Sequence, residues 1–306
     1  MMNVYMDSAM SDAERRARLY DGDVFVFGAR PSVLELADYA RGFLVDAFAP
    51  LDPRTAQFEL PVERFVEIFA PVKPAFIHDP RTKSLLTSVI QEVGCDLDDT
   101  YLDVPRLRGV TSDGYLTSGV GYAHHPHRDT WYSAPMAQLN WWLPIYEFSG
   151  DSSMAFHLPH WATPVKNGSR EFNYYEWNAV GRASAASQVK TDTRRQPKAE
   201  EVAQTEPQVR FVCPVGGMII FSGAHLHSTV PNTSGSARFS IDFRTVSRTD
   251  LASGRSAPNI DSEPQGTSLR DFLRASDRTP LPDEIIAAHD SGAPASGVLV
   301  FKPENV

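Results

Sequence analysis

The run Met218-Ile-Ile-Phe-Ser-Gly-Ala-His-Leu-His227, continued by Ser228-Thr-Val-Pro-Asn-Thr-Ser234 and then by Arg238-Phe-Ser-Ile-Asp-Phe-Arg244, is a short apolar strand, a turn and an alternating strand in succession. The same texture extends upstream. Residues 101–110, 115–122, 136–145, 153–157, 209–213, 218–221 and 238–246 read as strands, separated by Ser112-Asp113-Gly114, Ser149-Gly150-Asp151, Pro214 to Gly217 and Ser234-Gly235-Ser236. Many short strands punctuated in this way predict a β-sandwich or barrel. Before residue 101 the periodicity is helical. After a polar lead of about 20 residues, 23–27 reads as a strand. Ser32 then stands as a candidate N-cap for a helix over 33–48, with Val33, Leu36, Ala37, Ala40, Phe43, Leu44 and Ala47 at helical spacing. Further helices are predicted near 62–69 and over 82–93, the latter stopped by Gly94. Beyond 247 the chain is polar and Pro-rich, with short helices expected at 268–275 and 282–289. Helices first and strands later predict a mainly β fold with the helices packed on one face.

At 306 residues, with 42% hydrophobic and 22% charged residues, the chain has the composition of an ordinary globular protein. We expect one domain over 1–306 with its β core at about 101–246. A formal net charge of -9 argues against a nucleic-acid partner. No stretch approaches the ~20 apolar residues of a membrane span, and the first residues lack the apolar core of a signal peptide. Two cysteines, Cys95 and Cys213, are too few for a disulfide framework and suit the reducing cytoplasm.

Seven of the nine histidines fall between His124 and His227. In His127-Arg128-Asp129 an extended backbone would point the imidazole and the carboxylate the same way. A third ligand is available about 100 residues later, at His225 or His227. Two histidines and one carboxylate leave open positions on an octahedral metal, which suits Fe(II), a bidentate oxoacid and O2, and does not suit a closed structural zinc site. Arg238, eleven residues past His227, could grip the far carboxylate of such an oxoacid with two parallel hydrogen bonds.

Taken together, these pieces resemble the phytanoyl-CoA dioxygenase-like branch of the iron and 2-oxoglutarate-dependent oxygenases. The matching residues are His127-x-Asp129, Ser153-Met-Ala-Phe-His-Leu-Pro-His160, the block from Pro214 to Arg238 and the opening Asp21-Gly-Asp-Val-Phe-Val-Phe27. The resemblance spans roughly residues 20 to 250. It implies a double-stranded β-helix, or jelly roll, with N-terminal helices on the larger sheet. It also implies Fe(II) on His127, Asp129 and His227, and 2-oxoglutarate chelating the iron and pairing with Arg238. The expected reaction is hydroxylation of an unactivated C–H bond of a small molecule with O2, in secondary metabolism. The chain departs from the family at Pro159-His160-Trp161-Ala162, where Pro-Gly-Ser-His is usual, and in the long polar excursion 181–206, read here as a lid.

The spacing to Asn232 and Arg238 favours His227 over His225 as the distal ligand. His225 is then a pocket residue, and His124 and His125 are loop residues. A cupin would place a glutamate where Thr130, Trp131 and Tyr132 stand. Trp131, Tyr132, Trp142 and Trp177, with His225, are the expected substrate-contacting residues. Gln138, Asn140 and Trp142 share a strand face, so either amide could bond 2-oxoglutarate or substrate; Thr229, on the face of His227, could assist Arg238. The carboxylate at Asp129 favours hydroxylation over halogenation, which usually needs a small residue there. The alternative reading is a cupin-type or small-molecule-binding protein without 2-oxoglutarate turnover. A monomer or a homodimer is expected.

Overall fold

The computed structural model describes residues 2–119, 125–181, 191–194, 196–201, 203 and 205–292. In chain order the elements are β1 (Val4–Met6), α1 (Asp12–Tyr20), β2 (Val24–Phe27), α2 (Pro31–Phe48), α3 (Val62–His78), α4 (Pro80–Glu92), β3 (Thr100–Leu102), β4 (Arg106–Val110), β5 (Leu139–Pro144), β6 (Met154–His157), β7 (Gln208–Arg210), β8 (Met218–Ser222), β9 (His227–Thr229), β10 (Arg238–Ser247) and β11 (Leu273–Arg274), with short helical turns between them. Among the described residues the strands form two sheets. The larger runs β1-β2-β8-β5-β10-β3-β11, with β4 beside β3 on the same edge of β10; the smaller runs β7-β6-β9. All pairings within them are antiparallel except β1 with β2.

Alternation gives the larger sheet two different faces. Phe239, Ile241 and Phe243 of β10, with Trp141 of β5 and Ile220 of β8, join a core shared with the helices. The intervening Trp142, Ile219 and Phe221 meet Met154 and Phe156 of the smaller sheet. Arg238, Ser240, Asp242 and Arg244 continue that inner face along β10 and border a cavity. The molecule is therefore layered as helices, large sheet and small sheet.

The fold mixes helices with sheets of antiparallel strands, so the expectation of a mainly β fold holds in part. Helices α2, α3 and α4 have 18, 17 and 13 residues, whereas the longest strand has 10. Three local expectations change with it. Helix α2 starts two residues earlier than Ser32 as N-cap would allow, with Arg30 as N-cap and Pro31 in the first turn, where its missing N–H costs nothing. Helix α3 does not stop at Phe69 but continues through Pro71 and Pro74 to His78, because its buried stripe of Phe65, Phe69, Val72 and Phe76 continues. The anticipated strand 101–110 splits at 103–105, where Pro105 has no N–H to pair and the Asp103 carboxylate accepts the Arg244 backbone N–H at 2.8 Å.

The part of 115–122 that is described, 115–119, is not a strand; the rest lies outside the described residues. Gly114 and Gly119 have φ of 67° and 64°, and the Thr111 hydroxyl accepts the Leu116 N–H at 3.0 Å, closing a turn. Downstream, 268–271 is a single 3₁₀ turn leading into β11 instead of a helix to 275. No helix among the described residues is long and apolar enough to cross a membrane.

Helix α3 rests directly on β4 because Gly109 has no side chain. A Cβ there would lie 2.9 Å from Phe69 Cε1 and 3.0 Å from Phe239 Cε1, both in the core. Gly109→Ala is expected to destabilise the fold by about 1–3 kcal/mol through overpacking. Urea denaturation checks this: an unchanged midpoint means that the two rings can yield.

Candidate metal centre and its cavity

His127 and His227 face each other across an antiparallel bridge. Each backbone N–H donates to the other's carbonyl at 3.0 Å. Directly opposed residues place their side chains on one face, and the two imidazole centroids are 4.5 Å apart. Each ring is oriented by the carbonyl two residues earlier: His127 Nδ1 lies 2.8 Å from His125 O, and His227 Nδ1 lies 3.0 Å from His225 O. A carbonyl can only accept, so the proton sits on Nδ1 and the Nε2 lone pair is left for a metal.

The next coupling brings in Asp129, whose N–H donates to Gly223 O at 3.0 Å. Its Oδ1 lies 3.5 Å from His127 Nε2 and 3.9 Å from His227 Nε2. Its Oδ2 accepts Gln138 Nε2 at 3.0 Å and faces Arg244 Nε at 3.6 Å. The three potential ligand atoms all lie within 4.8 Å of one another. Burial by itself would raise the Asp129 carboxyl. His127, Arg244 and His227 outweigh it and hold the group well below the ordinary carboxylate range. Burial and the neighbouring His127 push His227 down to about 4, so its imidazole is neutral at pH 7. The centre thus offers two imidazoles, that of His227 neutral, and one carboxylate.

Arg128, between the two candidate ligands, points away from them and is buried. It donates to Ala224 O and His160 O, both at 2.5 Å, and pairs with Asp261 at 2.9 Å. The sequence alone did not single out Arg128 or Asp261. The available signal was alternation, which turns the middle residue of His-x-Asp to the opposite face.

The inner face of the large sheet contributes the rest. The cavity has a volume of about 470 Å³, and Gln138, Asn140, Tyr132, Trp142, Trp177 and Thr229 all border it. Gln138 is committed to its neighbours, donating to Asn140 Oδ1 at 2.9 Å as well as to Asp129. Arg238 also lines the cavity, with its guanidinium 5.2 Å from the centroid of Trp142 and Nη1 donating to Ser240 Oγ at 3.4 Å. Its Nε is buried and has no hydrogen-bond partner. Burial pushes Arg238 down to about 10, an effect that Asp242 opposes and Arg108 reinforces. By contrast Arg244 is surrounded by carboxylates: Asp242 at 3.1 Å, Asp103 at 3.6 Å and Asp129.

Two expected substrate contacts are corrected. Trp131 does not reach the cavity: it packs against Val165 and Leu226, and its Nε1 donates to Asp261 at 2.7 Å. The 3₁₀ turn Asp129–Tyr132 rotates successive side chains apart, so Tyr132 enters the cavity and Trp131 does not. The His225 ring is also outside, held between Phe156 and Trp161, and only its carbonyl serves the centre. His124 lies outside the described residues, as do 182–190, 195, 202 and 204 of the anticipated lid. In the described part of that excursion, Arg194 and Gln196 border the cavity.

No family model and no curated protein matches the chain. Among solved structures it is similar to the non-heme alpha ketoglutarate dependent epimerase SnoN from nogalamycin biosynthesis, at 14% identity over 77% of this chain and 82% of that one, with a TM-score of 0.37. The non-heme monooxygenase ThoJ is similar at 12% identity, over 71% of this chain and 70% of its own, with a TM-score of 0.35. EvdO2 from Micromonospora carbonacea var. aurantiaca is similar at 13% identity, over 57% and 62% respectively, with a TM-score of 0.36. These likenesses are remote, and the functional reading rests on the geometry.

The buried imidazoles make the metal-free protein sensitive to acid. His225 is held down to about 3 by burial and His227, and His227 to about 4, against 6.5 when unfolded. Below pH 6.5 the unfolded chain therefore binds protons that the folded one refuses, so stability falls as pH drops from about 6.5 toward 4. Denaturation midpoints of metal-free protein across that window should decline, and His225→Asn should flatten the slope. A midpoint independent of pH contradicts the buried neutral pair.

Proposed function

We propose that this chain is an Fe(II)- and 2-oxoglutarate-dependent oxygenase that uses O2 to hydroxylate an unactivated C–H bond of a small molecule. The observation that carries this reading is the pairing of His127, His227 and Asp129, gathered on one side of a cavity, with a buried and under-bonded Arg238 on the wall of the same cavity. The donor set fits the group. Two imidazoles and a carboxylate on one face are the facial arrangement of non-haem iron oxygenases. No fourth His, Cys, Asp or Glu joins the cluster among the described residues, as a closed zinc site would require. Bound iron would supply O2 activation coupled to oxidation of 2-oxoglutarate to succinate and CO2.

The protein's contribution is orientation and a dry, charged enclosure. The His125 and His225 carbonyls keep both Nε2 atoms turned inward, and Gln138 fixes Asp129 by its second oxygen. Arg238 takes the distal carboxylate of the co-substrate, and the Thr229 hydroxyl and Asn140 amide are placed to add hydrogen bonds. Trp142, Met154 and Phe221 give that end of the cavity apolar walls that exclude water. A carboxylate at 129 leaves no room for a halide ligand, which favours hydroxylation. The two facing sheets with helices behind the larger one suit a double-stranded β-helix of the phytanoyl-CoA dioxygenase-like kind, as a single domain.

Anaerobic titration should show one Fe(II) bound per chain, and His127→Ala, Asp129→Ala and His227→Ala should each abolish succinate formation, whereas His225→Ala should keep bound iron. The distal assignment is wrong if His225→Ala loses the metal and His227→Ala retains it. Arg238→Ala should keep iron but raise the KM for 2-oxoglutarate by roughly 30-fold or more, the equivalent of losing ~2 kcal/mol or more of buried charge pairing. An unchanged KM would move the carboxylate partner to Arg244.

A further inference from the structure

The chain beyond β10 leaves both sheets and returns behind the metal centre. A turn at Asn259 begins the return: its Oδ1 accepts the Ser262 N–H and its Nδ2 donates to Ser262 O, both at 2.9 Å. Asp261 lies within that turn. Hydrogen bonds fasten the segment to residues 130–136, the stretch that leads from Asp129 toward β5. Ala257 N–H donates to Met136 O at 3.2 Å, and Ser268 N–H donates to Ser133 O at 3.0 Å. The Thr130 and Ser262 hydroxyls are bonded at 2.7 Å, and the Ser133 hydroxyl donates to Gln265 O at 2.8 Å.

Asp261 gathers donors from two separate segments, and its side chain is only 5% exposed. Its Oδ1 lies 2.9 Å from Arg128 Nε and accepts Trp131 Nε1 at 2.7 Å. Its Oδ2 accepts Arg128 Nε at 3.1 Å and the Val165 N–H at 2.9 Å. The other end of the Arg128 guanidinium is equally committed. Nη1 donates to Ala224 O at 2.5 Å, and Nη2 donates to His160 O at 2.5 Å and to Thr163 O at 3.3 Å. Ala224 stands between Gly223, whose carbonyl accepts the Asp129 N–H, and His225, whose carbonyl orients the His227 ring. Arg128 therefore touches both halves of the donor set: its backbone joins His127 to Asp129, and its head grips the turn that precedes His227.

That grip needs a counter-charge. Arg128 is 1% exposed, and a buried guanidinium is costly unless it is paired. Burial pushes it down from its ordinary range, and Asp261 opposes the push. Among the described residues Asp261 is the carboxylate that forms an ion pair with it. The guanidinium is a rigid planar fork, so the hold on Nε also sets where Nη1 and Nη2 point. Without the carboxylate, a buried cation bonded to carbonyls alone gains by moving toward water. Such a movement would carry the backbone between His127 and Asp129 with it and release Ala224.

We propose that Asp261 is a positioning residue of the metal centre, acting through Arg128 to hold His127 and Asp129 against the turn that carries His227. This rests on the metal-centre reading above. The test titrates metal-free protein with Co(II), whose visible d–d bands report ligand geometry, and follows urea denaturation of each variant. Asp261→Asn keeps the shape and removes the charge. It should weaken Co(II) binding about 10- to 100-fold, the usual effect of losing a group that orients metal ligands, and shift the bands. Asp261→Leu combined with Arg128→Met removes both charges, so the fold is spared an unpaired buried ion; it should show the same weakening and shift. Coupling is reciprocal, so Co(II) should slow hydrogen exchange of the Val165 and Ser268 amides in the unaltered protein by about threefold or more. That measurement decides the matter if neither variant folds. A folded variant with unaltered affinity and bands overturns the inference, and so does exchange at both amides that Co(II) leaves unchanged. If the unaltered protein takes up no Co(II), the metal-centre reading itself fails, and this inference with it.

Discussion

The two reciprocal hydrogen bonds between the backbones of His127 and His227 are the constraint on which the centre depends. They join a segment preceding β5 to the start of β9, about 100 residues apart in sequence. Side chains alternate along extended backbone, so a slip of one residue would turn one imidazole to the opposite face and replace it by its neighbour. The next coupling, Asp129 N–H to Gly223 O, and the buried Arg128 clamped to Asp261 behind the pair both resist that slip. The geometry of the donor set is therefore tied to backbone pairing.

Much of this was legible in sequence because the signals were local. Alternation along 238–246 gave β10, and the spacing within His127-x-Asp129 and from His227 to Arg238 brought out residues that the fold does gather around one cavity. What was illegible depends on contacts between distant segments. Residues 115–119 have strand-like composition, but Gly114 and Gly119 take left-handed φ and fold the chain back. Helix α3 passes two prolines because packing of Phe69 and Phe76 outweighs the lost backbone bonds. Strand β9 has three residues and is set by its pairing with β6 and by the bridge from His227 to His127. Trp131 and His225 were assigned to the cavity from their neighbourhood in sequence, whereas a 3₁₀ turn and a close-packed aromatic contact direct them elsewhere.

The inner face of β10 shows how one strand can divide a cavity into zones of different electrostatic character. Arg238 and Arg244 lie on the same face, six residues apart, the first buried and the second half-buried. Their partners differ. Arg244 is enclosed by Asp103, Asp129 and Asp242, which raise its affinity for its proton, and its Nη1 makes ion pairs without a hydrogen bond. Arg238 has a hydroxyl, an aromatic face and one unsatisfied Nε, and burial lowers it. A buried unsatisfied donor costs free energy that a fold does not retain by packing alone. The same strand thus carries an arginine surrounded by carboxylates, one of them Asp129, and an arginine that meets a hydroxyl and an aromatic face. That asymmetry in charge compensation is a distinction that residue type and spacing alone do not make.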